Sequence, residues 1–197
     1  MKDVAVDACC LINLLAADCV LPKPSTQKKR SKDSPQPHGS HSLGLVLHVP
    51  DIVAVESMYI LQPDHDDPAK LLKSPIDLGP YFANGTLSKC EIEAGDETAL
   101  FVGFARKLDD GEAACVAIAK NRSWLLATDD RPATSLAVQV GATVLSTSNL
   151  LKLWATNTKA TKTEIGNALL NVQRFARFVP RPNSPDSAWW KFHFPTN

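Results

Sequence analysis

The 197 residues, 44% of them hydrophobic, suffice for one sizeable core and are too few for two, so a single compact domain is expected. Equal totals of Lys+Arg and Asp+Glu, 21 each, exclude a protein that holds nucleic acid chiefly by a basic excess, while leaving binding through metal ions open. The balance is uneven, at −2 over residues 1–21, +4 over 22–49, −7 over 50–151 and +5 over 152–197, an acidic centre between basic segments.

Lys2 to Asp7 alternates, with Val4 and Val6 apolar, and runs into Ala8–Ala17, whose spacing predicts a helix after a buried first strand. Residues 22–42 carry four prolines, many Ser and Lys and almost nothing apolar, which predicts a solvated flexible insertion. Its Lys28, Lys29, Arg30 and Lys32 could form a basic arm, though a charge run is more often just a solvated loop. Asp51 is placed to cap a helix through about Leu61, ended by the acidic stretch Gln62–Pro68. A strand is expected within 80–90, beside a turn at Gly85. Helices over Ile92–Leu108 and Asp110–Arg122 follow, separated by a turn at Asp109–Gly111. Ser123–Thr128 reads as a buried strand stopping at Asp129–Asp130–Arg131–Pro132, then a helix to Val140, Gly141 as its C-terminal stop, and a strand over Ala142–Leu145. Helices near Thr147–Thr156 and Lys162–Phe178 precede a Pro-rich tail with Trp189 and Trp190, which is expected to dock on its own domain. Strands alternating with helices argue for an α/β fold with a mainly parallel sheet.

The longest apolar runs, such as Leu43 to Val49, are far too short to span a bilayer. Five cysteines, an odd number without a CxxC pair, read as reduced thiols of a cytoplasmic protein, and no Cys/His cluster has zinc spacing.

Four places carry carboxylates where hydrocarbon would serve structure better. Asp7 follows the first strand and Asp129–Asp130 a later one, at the carboxyl edge where α/β folds build sites. Glu56 falls on the apolar stripe of the helix expected over 51–61, and Glu112 shares a stripe with Cys115, Val116 and Ala119. Each alone has a plain structural use: Asp7, Asp129 or Asp130 as helix caps, Glu112 in a first helical turn, Glu56 as a snorkelling surface acid. Together they would repel and take up protons unless a cation compensates. Oxygen-only ligands point to Mg²⁺ or Mn²⁺.

These residues resemble the PIN-domain family, the PilT N-terminus-like ribonucleases that include VapC-type toxins. VAVDACCLINLL is similar to the family's first strand, first Asp and following helix, VPDIVAVESMYI to the segment with its first Glu, LDDGEAACVAIAKNR to the helix with its third acid, and LLATDDRPATSLAVQVGATVLST to the strand with its terminal acids. The resemblance covers most of residues 1–148; residues 149–197 look like a helical C-terminal extension packed on the same domain. It implies a three-layer α/β/α fold and a metal-dependent endoribonuclease in which Asp7, Glu56, Glu112 and one or both of Asp129 and Asp130 hold Mg²⁺ or Mn²⁺. Thr128 matches the hydroxyl residue preceding the last acid. RNA is then the substrate, and a protein antitoxin and a homodimer are the partners the resemblance suggests. Two positions depart from the pattern. Cys9 stands where Ser, Thr or Asn is common, and the terminal acids are adjacent rather than two apart, with Pro132 in the later place, so the choice between Asp129 and Asp130 stays open. The alternative is a PIN-like binding or assembly module with weak or no catalysis. Arg131, Arg122, Lys120, Arg174, Arg177 and Arg181 are candidate backbone contacts or simply exposed charges.

Overall fold

A computed structural model describes residues 1–21 and 42–195. The insertion expected at 22–42, with its basic arm, lies outside the described residues apart from its last position. Five parallel strands form one sheet in the order β5-β2-β1-β6-β7: β1 Lys2–Val6, β2 Leu45–Pro50, β5 Ser88–Cys90, β6 Leu125–Ala127 and β7 Thr143–Leu145. The central β1 loses Val4, Ala5 and Val6 wholly from solvent, as a strand covered on both faces must. Helices flank the sheet in a three-layer α/β/α arrangement. Helix α1, Ala8–Ala17, leaves β1 and packs on the C-terminal helices. Helix α5, Asp110–Arg122, lies on β1, β2 and β6, with Ala113–Ala119 all buried, and α4, Asp96–Phe104, packs beside it.

The order places β2 on one side of β1 and β6 on the other. Chain leaving β1 and chain leaving β6 therefore diverge, which opens a crevice at the carboxyl ends of these two strands. Asp7 follows β1 directly, and Thr128, Asp129 and Asp130 follow β6; the register sets Val6 opposite Ala127 and the Asp7 amide donates to the Ala127 carbonyl at 3.0 Å.

The helix expected over 51–61 is corrected. Only Asp51–Ala54, α2, is helical, and Pro50 rather than Asp51 stands at its cap. Tyr59–Pro63 is a strand, β3, paired antiparallel with β4, Leu71–Pro75, in a separate hairpin. Asp64 and Asp67 turn the connection, accepting from the Asp66 and Ala69 amides at 3.1 Å each. Between hairpin and β5 lies a short helix, α3, Gly79–Ala83, where only a turn and strand were expected. The first of the two central helices is shorter than Ile92–Leu108, starting at Asp96 after Gly95 (φ 91). After β6 come α6, Arg131–Gln139, and, after β7, α7, Thr147–Thr158, opened by a reciprocal Ser146–Asn149 capping box. The helix expected over 162–178 is α-helical only over Lys162–Asn171, α8. Val172–Ala176 continues as a π-helical turn ended by Arg177 in the left-handed region (φ 56).

The tail docks through α9, Ser187–His193. Trp190, 3% exposed, meets the edge of Phe178 at 5.7 Å. Asp186 accepts from Ser146 Oγ at 3.0 Å and from Asn149 Nδ2, and pairs with Lys152. Phe192 stays exposed, with Lys162 over its ring. Among the described residues no helix is long and apolar enough to cross a membrane, and all five cysteines are free thiols.

Candidate metal centre

Asp7 is 5% exposed and does two jobs at once. Its Oδ1 caps α1 by accepting from the Ala8 amide at 2.7 Å, and its Oδ2 accepts from Thr128 Oγ1 at 2.8 Å and Cys9 Sγ at 3.0 Å. Three of its roughly four lone-pair positions are thus filled, and the side chain is fixed with one left over. Thr128 also accepts from the Asp130 amide at 3.1 Å, so the hydroxyl residue ties the two strand ends together. Cys9, in place of an oxygen residue, keeps a weaker version of the expected bond.

The adjacent acids point different ways. Asp129 accepts from the Thr147 amide at 3.0 Å, Asn13 Nδ2 at 3.1 Å, Cys10 Sγ at 3.4 Å and the Thr147 hydroxyl, which fills the carboxylate and binds α1 to α7. Among the described residues the Asp130 carboxylate accepts only from the Ala133 amide, at 2.8 Å, as the cap of α6, and its charge acts on Glu112. Asp130 is therefore the acid that joins the other carboxylates.

Glu112 stands in the first turn of α5, half-buried. Burial, and then the charges of Asp130, Asp7 and Asp109, push its carboxyl up to about 7. Glu56 is not on a helical stripe; it lies in the bend after α2, and burial together with Asp7 and Asp109 raises its carboxyl as well. What holds it here is Gly111. A Cβ at that position would lie 2.0 Å from Glu56 Oε1, so the missing side chain is the cradle for the carboxylate over the start of α5. Asp109 is a fifth acid that sequence reasoning missed. It stands at the cap of α5 without a side-chain cap bond, and the available signal was its position three residues before Glu112, the spacing of a capping box.

Among the described residues no Lys, Arg or His lies within ion-pair distance of any of these five carboxylates. The chain compensates a buried acid where structure alone requires it. Glu97, 1% exposed, takes Arg122 Nε at 2.9 Å, the Arg122 terminal nitrogen at 2.7 Å and the Glu93 amide at 2.6 Å. Burial would raise its carboxyl, but the Arg122 and Glu93 bonds outweigh that and hold it below the usual range. This pairing also removes Arg122 from the candidate backbone contacts.

No three of the five carboxylates bring oxygen atoms within 4.8 Å of one another. Among the described residues the only three-ligand set with atoms all within 4.8 Å of one another is Cys9, Cys10 and Asp129. That set suits a metal poorly. Asp129 is saturated, burial pushes the Cys10 thiol well above its ordinary range, and two sulfurs make a softer site than Mg²⁺ or Mn²⁺ selects. The carboxylate set has the hard oxygen donors those ions require, together with uncompensated charge. Comparison of the chain with protein-family models, curated proteins and solved structures returns no match.

Proposed function

We propose that the chain is a PIN-like, metal-dependent ribonuclease that hydrolyses RNA phosphodiester bonds. The observation that carries this reading is the gathering of Asp7, Glu56, Asp109, Glu112 and Asp130 at the carboxyl ends of β1 and β6 without a compensating cation. Such a cluster is unfavourable by itself and favourable around Mg²⁺ or Mn²⁺. Asp7, Glu56, Glu112 and Asp130 would hold the ion, with Asp109 beside them and Asp129 kept for structure. A bound divalent ion supplies activation of water for in-line attack and neutralisation of charge on the phosphodiester. The protein's part is to fix the ligands: Thr128 and Cys9 orient Asp7, the α6 cap orients Asp130, and Gly111 seats Glu56. RNA as substrate, an antitoxin, a homodimer and a cytoplasmic setting rest on the family resemblance and the free thiols.

The test is Mn²⁺-dependent cleavage of single-stranded RNA by the wild type and by Asp7→Ala and Glu112→Ala, both expected to lose about a hundredfold or more. Full activity in both variants ends this assignment. The second reading, a PIN-like binding or assembly module, draws support from the spread of the carboxylates and from Cys9 on Asp7. Calorimetric titration separates the two, because a module without metal affinity gives no heat with millimolar Mn²⁺.

A further inference from the structure

Next to the acid cluster, a groove with a cavity volume of about 410 Å³ lies between the β3–β4 hairpin and the π-helical turn. Glu56 lines it, so it opens onto the cluster. Ile12, Met58 and Phe175 give it apolar walls, and Lys73 and Arg177 give it positive charge. Local geometry puts the cations there. Lys73 pairs with Leu61 across the hairpin, which makes Tyr59 its diagonal neighbour on the same face, and Lys73 Nζ lies 4.1 Å from the Tyr59 ring centroid. The π turn ends at Arg177 in left-handed backbone, so both Phe175 and Arg177 reach the groove instead of continuing around a helix.

These two cations differ from Arg122, Lys152 and Arg174, and from the other unpaired surface cations by their place in the groove. Among the described residues neither Lys73 nor Arg177 has a carboxylate within ion-pair distance, whereas Arg122 and Lys152 are bound to Glu97 and Asp186. Arg174 donates to the Pro68 carbonyl at 3.3 Å and so is spent on the hairpin connection. The groove therefore offers unpaired positive charge and apolar walls, and through Glu56 in its lining it borders the acid cluster with its five negative groups. An acidic peptide would be repelled by those groups, and a lone phosphate would leave the apolar walls uncovered. A nucleotide strand satisfies both: flat bases for the walls, phosphates for the cations, and a next phosphate at the metal ligands. The volume sits low in the usual range of about 300–1,000 Å³ for ligand sites, which suits a single nucleotide and not a duplex.

We infer that this groove seats one nucleotide of single-stranded RNA beside the scissile phosphodiester, its base against Ile12, Met58 and Phe175 and its phosphates on Lys73 and Arg177. The inference rests on the nuclease reading of the acid cluster and adds to it a selection for unpaired strands, since a base held in a duplex stack cannot enter.

The test is titration of a short labelled single-stranded RNA in EDTA, followed by fluorescence anisotropy, with an RNA duplex, the matching DNA strand and an acidic peptide as further probes. Combining Lys73→Glu with Arg177→Glu is expected to weaken single-strand binding about tenfold or more and to flatten the logarithmic salt slope by about 1.4, the value for two lost phosphate contacts. Both side chains are exposed, so the fold should persist. Circular dichroism checks this, and the milder pair Lys73→Gln with Arg177→Gln should shift affinity in the same direction. Unchanged affinity and slope, no binding by the wild type, equal loss on the duplex, tighter binding of DNA, or a peptide that RNA cannot displace each overturn the groove. EDTA keeps binding separate from cleavage. Groove-dependent binding without any Mn²⁺-dependent cleavage sinks the nuclease reading alone, and cleavage by a wild type whose RNA affinity ignores both cations sinks the groove alone.

Discussion

Gly111 does its work by what it lacks. The ideal Cβ position lies 2.0 Å from Glu56 Oε1 and 3.3 Å from Val53 Cγ2. A methyl group there displaces the end of a flexible side chain while replacing a glycine in the first turn of α5, a change worth up to about 0.5–1 kcal/mol in favour of the helix. Gly111→Ala is therefore expected to melt within a few degrees of the wild type or above it, yet to bind Mn²⁺ about tenfold more weakly. Equal calorimetric heats for the two proteins would remove Glu56 from the ligand set. The adjacent acids separate in the opposite sense. Asp129→Ala strands Asn13, Thr147 and Cys10 and should cost about 2–4 kcal/mol in denaturant unfolding. Asp130→Ser keeps an oxygen for the Ala133 amide and should stay within about 0.5 kcal/mol of wild type while losing Mn²⁺-dependent cleavage. The sequence could not choose between Asp129 and Asp130 because the choice depends on Asn13 and Thr147, which lie far away in the chain. Thr128 with its two-residue step to Asp130 was the only local clue. Asp109 was passed over for a different reason: at the head of Asp109–Asp110–Gly111 it looked like a turn residue.

Helices with a clear cap and a continuous apolar face were legible at the scale of elements. Residues 8–17 and 110–122 match the expected α1 and α5 to the residue, because local propensity, caps and burial agree there. The failure at 51–61 has a physical source. Ile52, Glu56 and Ile60 have helical spacing, but Tyr59 and Ile60 are strand formers whose partners, Pro75 and Ser74, are far along the chain. Pairing with a segment not yet identified as a strand cannot be read locally. Leu45–Pro50 was overlooked although its neighbours β1 and β5 were expected, because its apolar run was weighed only against a membrane span. The join of α4 to α5 depends on one pair that sequence did not single out. The Glu97 side chain is wholly buried and Arg122 nearly so. Removing one partner leaves a buried charge, so Glu97→Ala should cost about 3–5 kcal/mol, while Glu97→Met combined with Arg122→Met should recover about half of that or more. Chemical denaturation of the two variants measures the difference. A double variant no more stable than Glu97→Ala would mean that the pair contributes net stability beyond what apolar side chains supply.

The molecule as a whole reconciles zero net charge with a concentrated acidic site. Its acids come within one another's electrostatic reach because the strand order sends β2 and β6 to opposite sides of β1, while the structural acids Glu97 and Asp186 are paired with Arg122 and Lys152. That concentration has a pH signature in the metal-free protein. Glu112, partly buried and faced by Asp130 and Asp7 from the strand ends and by Asp109 at the cap of its own helix, has its carboxyl raised from 4.5 to about 7. Below about pH 4.5 both folded and unfolded chains hold this proton. Between 4.5 and 7 only the folded chain does, so folded-state stability declines as pH rises through that window. Glu97, with its lowered carboxyl, acts the other way, losing its contribution only as the medium becomes more acidic than this, which leaves the window to Glu112 with Glu56, also raised, adding in the same direction. Part of the Glu112 side chain is in water, so screening limits the effect to on the order of 1 kcal/mol, about 2–4 °C in melting temperature. Melting in EDTA should therefore fall from pH 5 to pH 7.5, with the slope reduced in Glu112→Gln. Millimolar Mn²⁺ should reverse the fall at pH 7.5, because an ion that binds the deprotonated ligands stabilises the fold by mass action just where proton loss weakens it. A melting curve with the same slope in Glu112→Gln would place the titrating group elsewhere, and one indifferent to Mn²⁺ at pH 7.5 would leave the carboxylates without their ion.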